Sequence, residues 1–279
     1  MNDAPKHEHQ PCNVVESFLK CKDGVSPVCG DNILISDSYI AVIDGATPKG
    51  QRLWDGMKGD AFIAKLLKTA VADLSPNLTA QEAIEQINTA VKKEYEKAGT
   101  TFEALPPEER LQASIVIYSA HRREIWLFGD CQFRVNGENF NATRKGDMLF
   151  SDLRAFCIEL ARLEGLDKDR DHGREAIMPF IKKYMLLANT DSEFGYDVIN
   201  GGSIRAHRVL IHPVNAGDFA VLSSDGYPTL FDTLRETEEY LFKAISVDPD
   251  CIGILRSTKG LQSGYESFDD RSYVSFFVG

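Results

Sequence analysis

The chain has 279 residues, of which 43% are hydrophobic and 26% charged, an ordinary composition for a folded protein with a sizeable core. Its 31 basic and 42 acidic residues give a net charge of −11, which argues against nucleic acid or anionic membrane as a partner, because both are bound by surplus Lys and Arg. No stretch has the apolar length of a membrane span, and the first residues lack a signal-peptide core, so we expect a cytoplasmic protein.

The six cysteines are scattered along the chain and include no CxxC pair. They are Cys12, Cys21, Cys29, Cys131, Cys157 and Cys251. A chain of this length does not need disulfides to fold, and we therefore predict that all six thiols are reduced.

The hydrophobic pattern predicts a polar, flexible tail at 1–12, followed by a single domain over 13–279. The first predicted elements are a strand at NVVESFLKCKD and a hairpin at DNILISDSYIAVIDGA. Two helices follow at GDAFIAKLLKTAVADL and TAQEAIEQINTAVKKEYEKAG, where apolar residues recur every three or four positions. The second helix opens with a capping Thr and has a Glu three residues later.

Further strands are predicted at LQASIVIYSA, REIWLFGD and QFRVNGE, and a largely helical region spans 147–189. A loop rich in Gly, Asn and Asp, NTDSEFGYDVINGGS, precedes strands at IRAHRVLIHPV and FAVLSSDG. The chain then has a helix at about 233–247 and a closing strand at SYVSFFVG. Because strands and helices come in blocks, we predict an α+β fold with antiparallel sheets packed face to face and helices outside.

Four short motifs place an Asp at the end of an apolar strand, usually beside a Gly. They are AVIDGAT with Asp44, IWLFGDC with Asp130, AVLSSDG with Asp225 and ESFDDRS with Asp269 and Asp270. A further acid, Asp31, opens its strand in CGDNILI. Any one motif alone is first of all a turn. Four such motifs together indicate one shared site. The carboxylates gathered there would repel one another unless cations lay between them, so the motifs also point to bound cations.

The order and context of these motifs resemble the metal-dependent protein phosphatases of the type 2C (PPM) family. AVIDGAT is similar to that family's strand ending in Asp-Gly, and ASIVIYSAHRREIWLFGDCQFRVNG to its strand pair ending in Gly-Asp-Ser-Arg. FAVLSSDGYPTLF resembles its SDG motif, and FDDRSYVSFFV its closing strand. The resemblance covers the chain from about residue 13, apart from a helical insert at about 145–190. It implies a four-layer sandwich of two packed antiparallel β-sheets flanked by α-helices.

The resemblance also implies a dinuclear Mg²⁺ or Mn²⁺ centre that activates water, and all-oxygen ligands favour these hard cations over zinc. Carried over residue by residue, it makes Asp44 the carboxylate that bridges both metal ions. The other implied ligands are the Gly45 carbonyl, the carboxylates of Asp225 and Asp269 at the second ion, Asp31 near the metal shell, and Asp130 at a third, weaker ion. Asp44, Asp225 and Asp269 are accordingly the candidate catalytic residues.

Three positions depart from the family pattern. Gly30 stands where an acid usually precedes Asp31, and Ala46 follows the Asp-Gly pair where many members have His. Ser26 stands about where many members have a phosphate-binding Arg, and no nearby Arg replaces it. The absent Arg bears most directly on phosphate affinity and on the class of substrate.

We therefore expect a phosphomonoester hydrolase that acts on phosphoserine or phosphothreonine in a partner phosphoprotein. Two alternatives remain open at the level of sequence. One is a non-catalytic or regulatory relative that keeps the fold and binds metal or a partner protein, and the other is a small-molecule phosphatase. The loop at about 186–203 corresponds to the mobile flap of the family, and only its location distinguishes it from a plain surface loop.

Overall fold

The computed structural model describes residues 12–167 and 170–279, so the tail predicted at 1–12 lies outside the described residues except for its last position. The described chain contains two antiparallel sheets of five strands each. The first consists, in spatial order, of β1 (Asn13–Lys20), β10 (Arg271–Phe277), β9 (Phe219–Ser223), β6 (Gln132–Val135) and β7 (Glu138–Asn141). The second consists of β2 (Asp31–Ile35), β3 (Tyr39–Gly45), β4 (Ala113–Ser119), β5 (Glu124–Phe128) and β8 (Leu210–Pro213).

The described residues form five α-helices, three of which cover the outer faces of the two sheets. The five helices are α1 (Gly59–Ala72), α2 (Ala80–Lys97), α3 (Lys145–Leu163), α4 (His172–Tyr184) and α5 (Leu234–Val247). Helices α1 and α2 pack on the second sheet and α5 on the first, so the order of layers is helix, sheet, sheet, helix. The predicted α+β sandwich is confirmed. None of the helices in the described ranges is long and apolar enough to cross a membrane.

The core follows from strict alternation along the strands. In β3, Ile40 and Val42 face the first sheet, whereas Ala41 and Ile43 face α1 and α2. All four side chains are buried, which explains why this strand reads as a continuous apolar run. Burial on both faces fixes the register, because a slip of one residue would exchange the two faces. The acid that ends β3 is therefore held at a defined place.

The predicted helices and most of the predicted strands are present, including the Thr79 cap of α2, which forms a reciprocal capping box with Glu82. The strand predicted at IRAHRVLIHPV is wrong over its first half, because a short 3₁₀ turn at Ala206–Arg208 precedes β8. The Arg205 guanidinium binds Asp197 at 2.6 Å, which favours a turn over an extended strand there. Strand β7, which pairs with β6, was not among the predicted elements.

The motif ESFDDRS was expected at the end of a strand, and this expectation is wrong. Asp269 and Asp270 precede β10 rather than follow a strand. Because β10 runs antiparallel to β9, its beginning lies beside the end of β9. Asp269 consequently reaches the same end of the sandwich as the acids that follow strands.

The region predicted as helical at 147–189 contains α3 and α4, joined by 164–171. These helices pack against each other around Phe150, Ile177 and Ile181. Two residues of the loop predicted as a flap, Tyr196 and Val198, are buried in the same small core. This part of the loop is therefore packed against the insert.

The prediction of six reduced thiols is wrong for one pair, because Cys21 and Cys29 form a disulfide. The loop between β1 and β2 turns back on itself and brings their Cα atoms to 5.0 Å. A separation of eight residues was not recognisable as a pair, since it depends on the path of this loop. Four other described cysteines are free thiols: Cys12, Cys131, Cys157 and Cys251.

Replacing Cys29 with Ser should lower the free energy of unfolding by about 2.5 kcal/mol, the loop-entropy value for closing so short a loop. Urea denaturation of oxidised protein measures this difference. Cys157→Ser, which alters a half-buried free thiol, is the control and should have a much smaller effect. A difference between Cys29→Ser and the wild type that persists unchanged in reductant would contradict the disulfide.

Candidate active site

Five of the residues singled out from the sequence lie around one cavity at one end of the two sheets. The cavity has a volume of about 350 Å³, and these residues are Asp44, Gly45, Asp130, Asp225 and Asp269. They come from the ends of β3, β5 and β9 and from the segment before β10. The sixth, Asp31, is buried behind the cavity wall, opposite Asp44 in the β2–β3 register.

Three of these carboxyl groups resist ionisation together. Burial raises the pKa of Asp44 well above its usual range, and the negative charges of the surrounding acids raise it further. The pKa of Asp225 is raised by desolvation of its carboxyl group within the cavity and by the charge of Asp269, although the residue as a whole is exposed and Lys259 acts in the opposite direction. Burial raises the pKa of Asp31 to about 7, although the Ser272 hydroxyl donates a 2.8 Å hydrogen bond to it. The site therefore gathers carboxyl groups whose ionisation a bound cation would favour.

Asp269 has cationic partners instead. Burial favours its neutral form, but the ammonium groups of Lys259 and Lys22 outweigh this effect and lower the pKa of Asp269. Lys259 forms a salt bridge with one carboxylate oxygen, and the Lys22 nitrogen lies 3.6 Å from the other. Asp269 is thus a stable anion even where no metal ion neutralises it.

Asp130 is held by the insert. The Arg144 guanidinium, at the beginning of α3, donates a 2.7 Å hydrogen bond to its carboxylate, and Ser114 contacts the same oxygen. Arg144 also lies over the Tyr196 ring, 4.7 Å from its centre. Gly129 has a φ of +105°, and a Cβ there would lie 2.3 Å from the Ser114 hydroxyl oxygen. Only glycine at that position lets Asp130 approach Ser114 so closely.

Asp270 has a structural position that the sequence did not reveal. Its two oxygens accept hydrogen bonds from the backbone N–H groups of Lys22 at 2.8 Å and Gly30 at 3.0 Å. A Cβ on Gly30 would lie 2.8 Å from the second oxygen. An acidic side chain at position 30 would therefore collide with Asp270. The absence of an acid before Asp31 and the presence of an acid at 270 are therefore linked, because the two side chains would compete for the same space.

Cationic residues of the cavity were also missed. Lys49, Arg144, Arg174 and Lys259 line it together with the acids. They come from separate loops and helix ends, and no local sequence pattern marks them. Ser26, which stands about where the family has Arg, is exposed on the loop between β1 and β2 and is not among the lining residues.

The atoms that line the cavity determine which metal ions it could bind. Among the described residues, no group of three or more His, Cys, Asp or Glu side chains is gathered as metal ligands. The chemistry nevertheless fits hard divalent cations, because the lining donors are carboxylates and carbonyls, and neither His nor Cys lines the cavity. A bound cation would favour ionisation of Asp44 and Asp225, whose pKa values are raised.

Replacing Asp270 with Ala should lower the free energy of unfolding by roughly 2–4 kcal/mol, since it leaves two backbone N–H groups without an acceptor. Chemical denaturation of metal-free protein measures this loss without interference from metal binding. Asp37→Ala, at an exposed turn position, should change the free energy by less than about 0.5 kcal/mol. Equal stability of the two variants would show that Asp270 does not anchor the loop at 21–30.

No protein-family model and no curated protein sequence matches the chain, whereas solved structures do. One is the Mycobacterium tuberculosis serine/threonine phosphatase PstP/Ppp, at 14% identity and a TM-score of 0.48, covering 94% of this chain and 97% of that one. A structure of the PstP catalytic domain with two manganese ions has 15% identity and a TM-score of 0.47, covering 94% and 95%. The PPM Ser-Thr phosphatase MsPP from Mycobacterium smegmatis, in complex with cacodylate, has 17% identity and a TM-score of 0.45, covering 96% and 100%. The last of these is of the PPM type, the family that the sequence motifs resemble.

Proposed function

We propose that this chain is a metal-dependent phosphomonoester hydrolase that acts on phosphoserine or phosphothreonine in proteins. The observation that supports it most is the convergence of Asp44, Asp130, Asp225 and Asp269 on one cavity. Carboxylates gathered this closely repel one another and lower the stability of the fold, so the arrangement calls for a functional reason. Cation-dependent hydrolysis of a phosphate ester provides that reason, and the sequence motifs resemble enzymes with this activity.

Asp44 is the residue best suited to bridge two cations. Its carboxyl group feels the charges of Asp225, Asp31, Asp130 and Asp269, which places it at the electrostatic centre of the site. Asp225 and Asp269 would be further ligands of one ion, and the Gly45 carbonyl would be a ligand of the other. When bound, two divalent cations would activate a water molecule and offset charge on the attacking and leaving oxygens.

The chain's own residues prepare the site for this chemistry. The strand register holds Asp44 rigidly beside Asp31, so that the carboxylate does not have to be ordered on binding. Gly45 is required at its position, because a Cβ there would lie 2.3 Å from the Asp60 carbonyl oxygen. Lys259 keeps Asp269 ionised through its salt bridge, so this carboxylate would be available to hold a cation. No covalent intermediate on the protein is needed, and Cys131, the cysteine near the acids, is fully buried with a raised pKa.

A second candidate function is that of a regulatory relative that binds metal or a partner protein without catalysis. The salt bridge between Lys259 and Asp269 favours it, because an ammonium group already occupies one side of an expected ligand. Turnover and metal binding distinguish the two candidates. The regulatory relative would show binding alone.

Hydrolysis of p-nitrophenyl phosphate should require Mn²⁺ or Mg²⁺, because the ligands are oxygen atoms that prefer hard cations. Turnover should disappear in excess chelator and return when the metal is added back. A phosphopeptide panel assayed under the same conditions tests the preference for phosphoserine and phosphothreonine. Turnover that persists in excess chelator would overturn the proposed metal centre, and an inactive protein that still binds Mn²⁺ would support the regulatory candidate.

Asp44→Ala should reduce turnover to below about 0.1% of the wild-type value, since loss of a bridging carboxylate weakens both cations. Asp130→Asn, which keeps an oxygen acceptor for Arg144, should reduce turnover only about tenfold if it serves a weaker third ion. Calorimetric titration with Mn²⁺ measures the number of bound ions in each variant.

The melting temperature of metal-free Asp44→Ala should not fall, because the change removes a repelling charge rather than packing. Two ions bound by this variant would refute the bridging role. A strongly lowered melting temperature without metal would instead identify Asp44 as a structural turn residue.

A further inference from the structure

Three cationic side chains, in addition to Arg144 and Arg256, line the cavity beside the acids. Lys49 follows β3, Arg174 lies in the first turn of α4, and Lys259 lies in the loop before β10. Their convergence is unexpected in a chain with a net charge of −11. The same three residues also line an adjoining cavity, so they stand at the boundary between the acidic site and its surroundings.

Two of these cations form no salt bridge with the described residues of the protein. Lys259 is paired with Asp269, but neither Lys49 nor Arg174 has a carboxylate within salt-bridge distance in residues 12–167 and 170–279. Arg174 donates one hydrogen bond, of 2.9 Å, from its side chain to the Thr258 carbonyl oxygen. The Lys49 ammonium group contacts the Thr47 carbonyl oxygen. Both side chains therefore retain donors for a ligand.

The cations also repel one another. The pKa of Lys49 is lowered to about 7, first by burial and then by the positive charges of Arg174 and Lys259. Burial likewise lowers the pKa of Arg174. A bound anion would remove this repulsion and use the free donors, as charged hydrogen bonds to phosphate oxygens do elsewhere.

Arg174 is held in place from behind. Asp171 caps α4 by accepting a 2.7 Å hydrogen bond from the Arg174 backbone N–H. Asp171 is itself bound by Arg154, whose fully buried guanidinium also donates to the carbonyl oxygens of Cys251 and Ser257. This network connects the insert to the loop before β10. It fixes the first turn of α4 at the edge of the cavity.

We infer that Lys49 and Arg174 bind the phosphoryl oxygens of the substrate and supply the cationic contact that is absent at Ser26. The inference rests on the proposed function, because it assigns the substrate's phosphoryl group to this side of the same cavity. The helical insert then has a specific task, since it provides the arginine that this chain lacks on the loop between β1 and β2.

Calorimetric titration of inorganic phosphate into chelator-treated protein tests this contact without metal or turnover. Lys49→Met and Arg174→Met should each weaken phosphate binding about tenfold, as expected for loss of a charge-assisted hydrogen bond. Lys243→Met and Arg235→Met, at exposed positions of α5, remove the same charges elsewhere and should leave the affinity unchanged. A general effect of net charge would affect all four variants alike.

Kinetics with p-nitrophenyl phosphate and Mn²⁺ provide the second measurement. Lys49→Met and Arg174→Met should raise KM about tenfold, while kcat changes less. Arg174→Lys, which keeps the charge but not the planar fork, should lie between Arg174→Met and the wild type. Melting temperatures show whether each variant is folded. If Arg174→Met melts early, the KM values of Lys49→Met and Arg174→Lys test the inference without it.

Unchanged phosphate affinity and KM in folded variants of an active enzyme would overturn the inference and leave the proposed function standing. Wild-type protein without measurable phosphate affinity in either the presence or the absence of Mn²⁺ would also overturn it. An enzyme inactive with every metal would contradict the proposed function. In that case, selective loss of phosphate binding in Lys49→Met and Arg174→Met would still support an anion site at these two residues.

Discussion

The gathering of several like charges at one end of a β-sandwich is the constraint on which this molecule depends. Asp31 is buried, Asp44 is half-buried and Asp225 is exposed at the cavity, and the negative charges of neighbouring acids help to raise the pKa of all three carboxyl groups. The sheets tolerate this because their apolar faces stabilise the fold independently of the site. The charge is therefore available for binding cations, at a cost that the core offsets.

The other polar groups around the site act on this charge in different ways. Asp269 is stabilised as an anion by two ammonium groups, and Asp130 accepts a hydrogen bond from the Arg144 guanidinium. Asp270 instead accepts two backbone hydrogen bonds and ties down the loop that carries the disulfide. Acids that look equivalent in the sequence thus have three different roles.

The helical insert is part of the site rather than an appendage. Arg144, directly before α3, binds Asp130, and α4 presents Arg174 to the cavity. The small core shared with Tyr196 and Val198 fixes the neighbouring loop against both helices. Together these contacts let an element outside the sandwich determine the cationic side of the cavity. The departure at Ser26 is understandable in this setting, since phosphate recognition need not come from the loop between β1 and β2.

The sequence by itself predicted the sandwich and most of the acids that meet at its end, although it placed Asp269 and Asp270 after a strand rather than before one. Strand alternation and helical periodicity are local properties, and β3 and α2 could be predicted because their burial patterns repeat over many residues. Tertiary structure decided the rest. The pairing of Cys21 with Cys29, the anchoring by Asp270 and the convergence of Lys49 with Arg174 join segments whose separation has no periodic signature. Contacts of this kind depend on the path of loops and on the placement of the insert, and these are fixed only when the layers pack together.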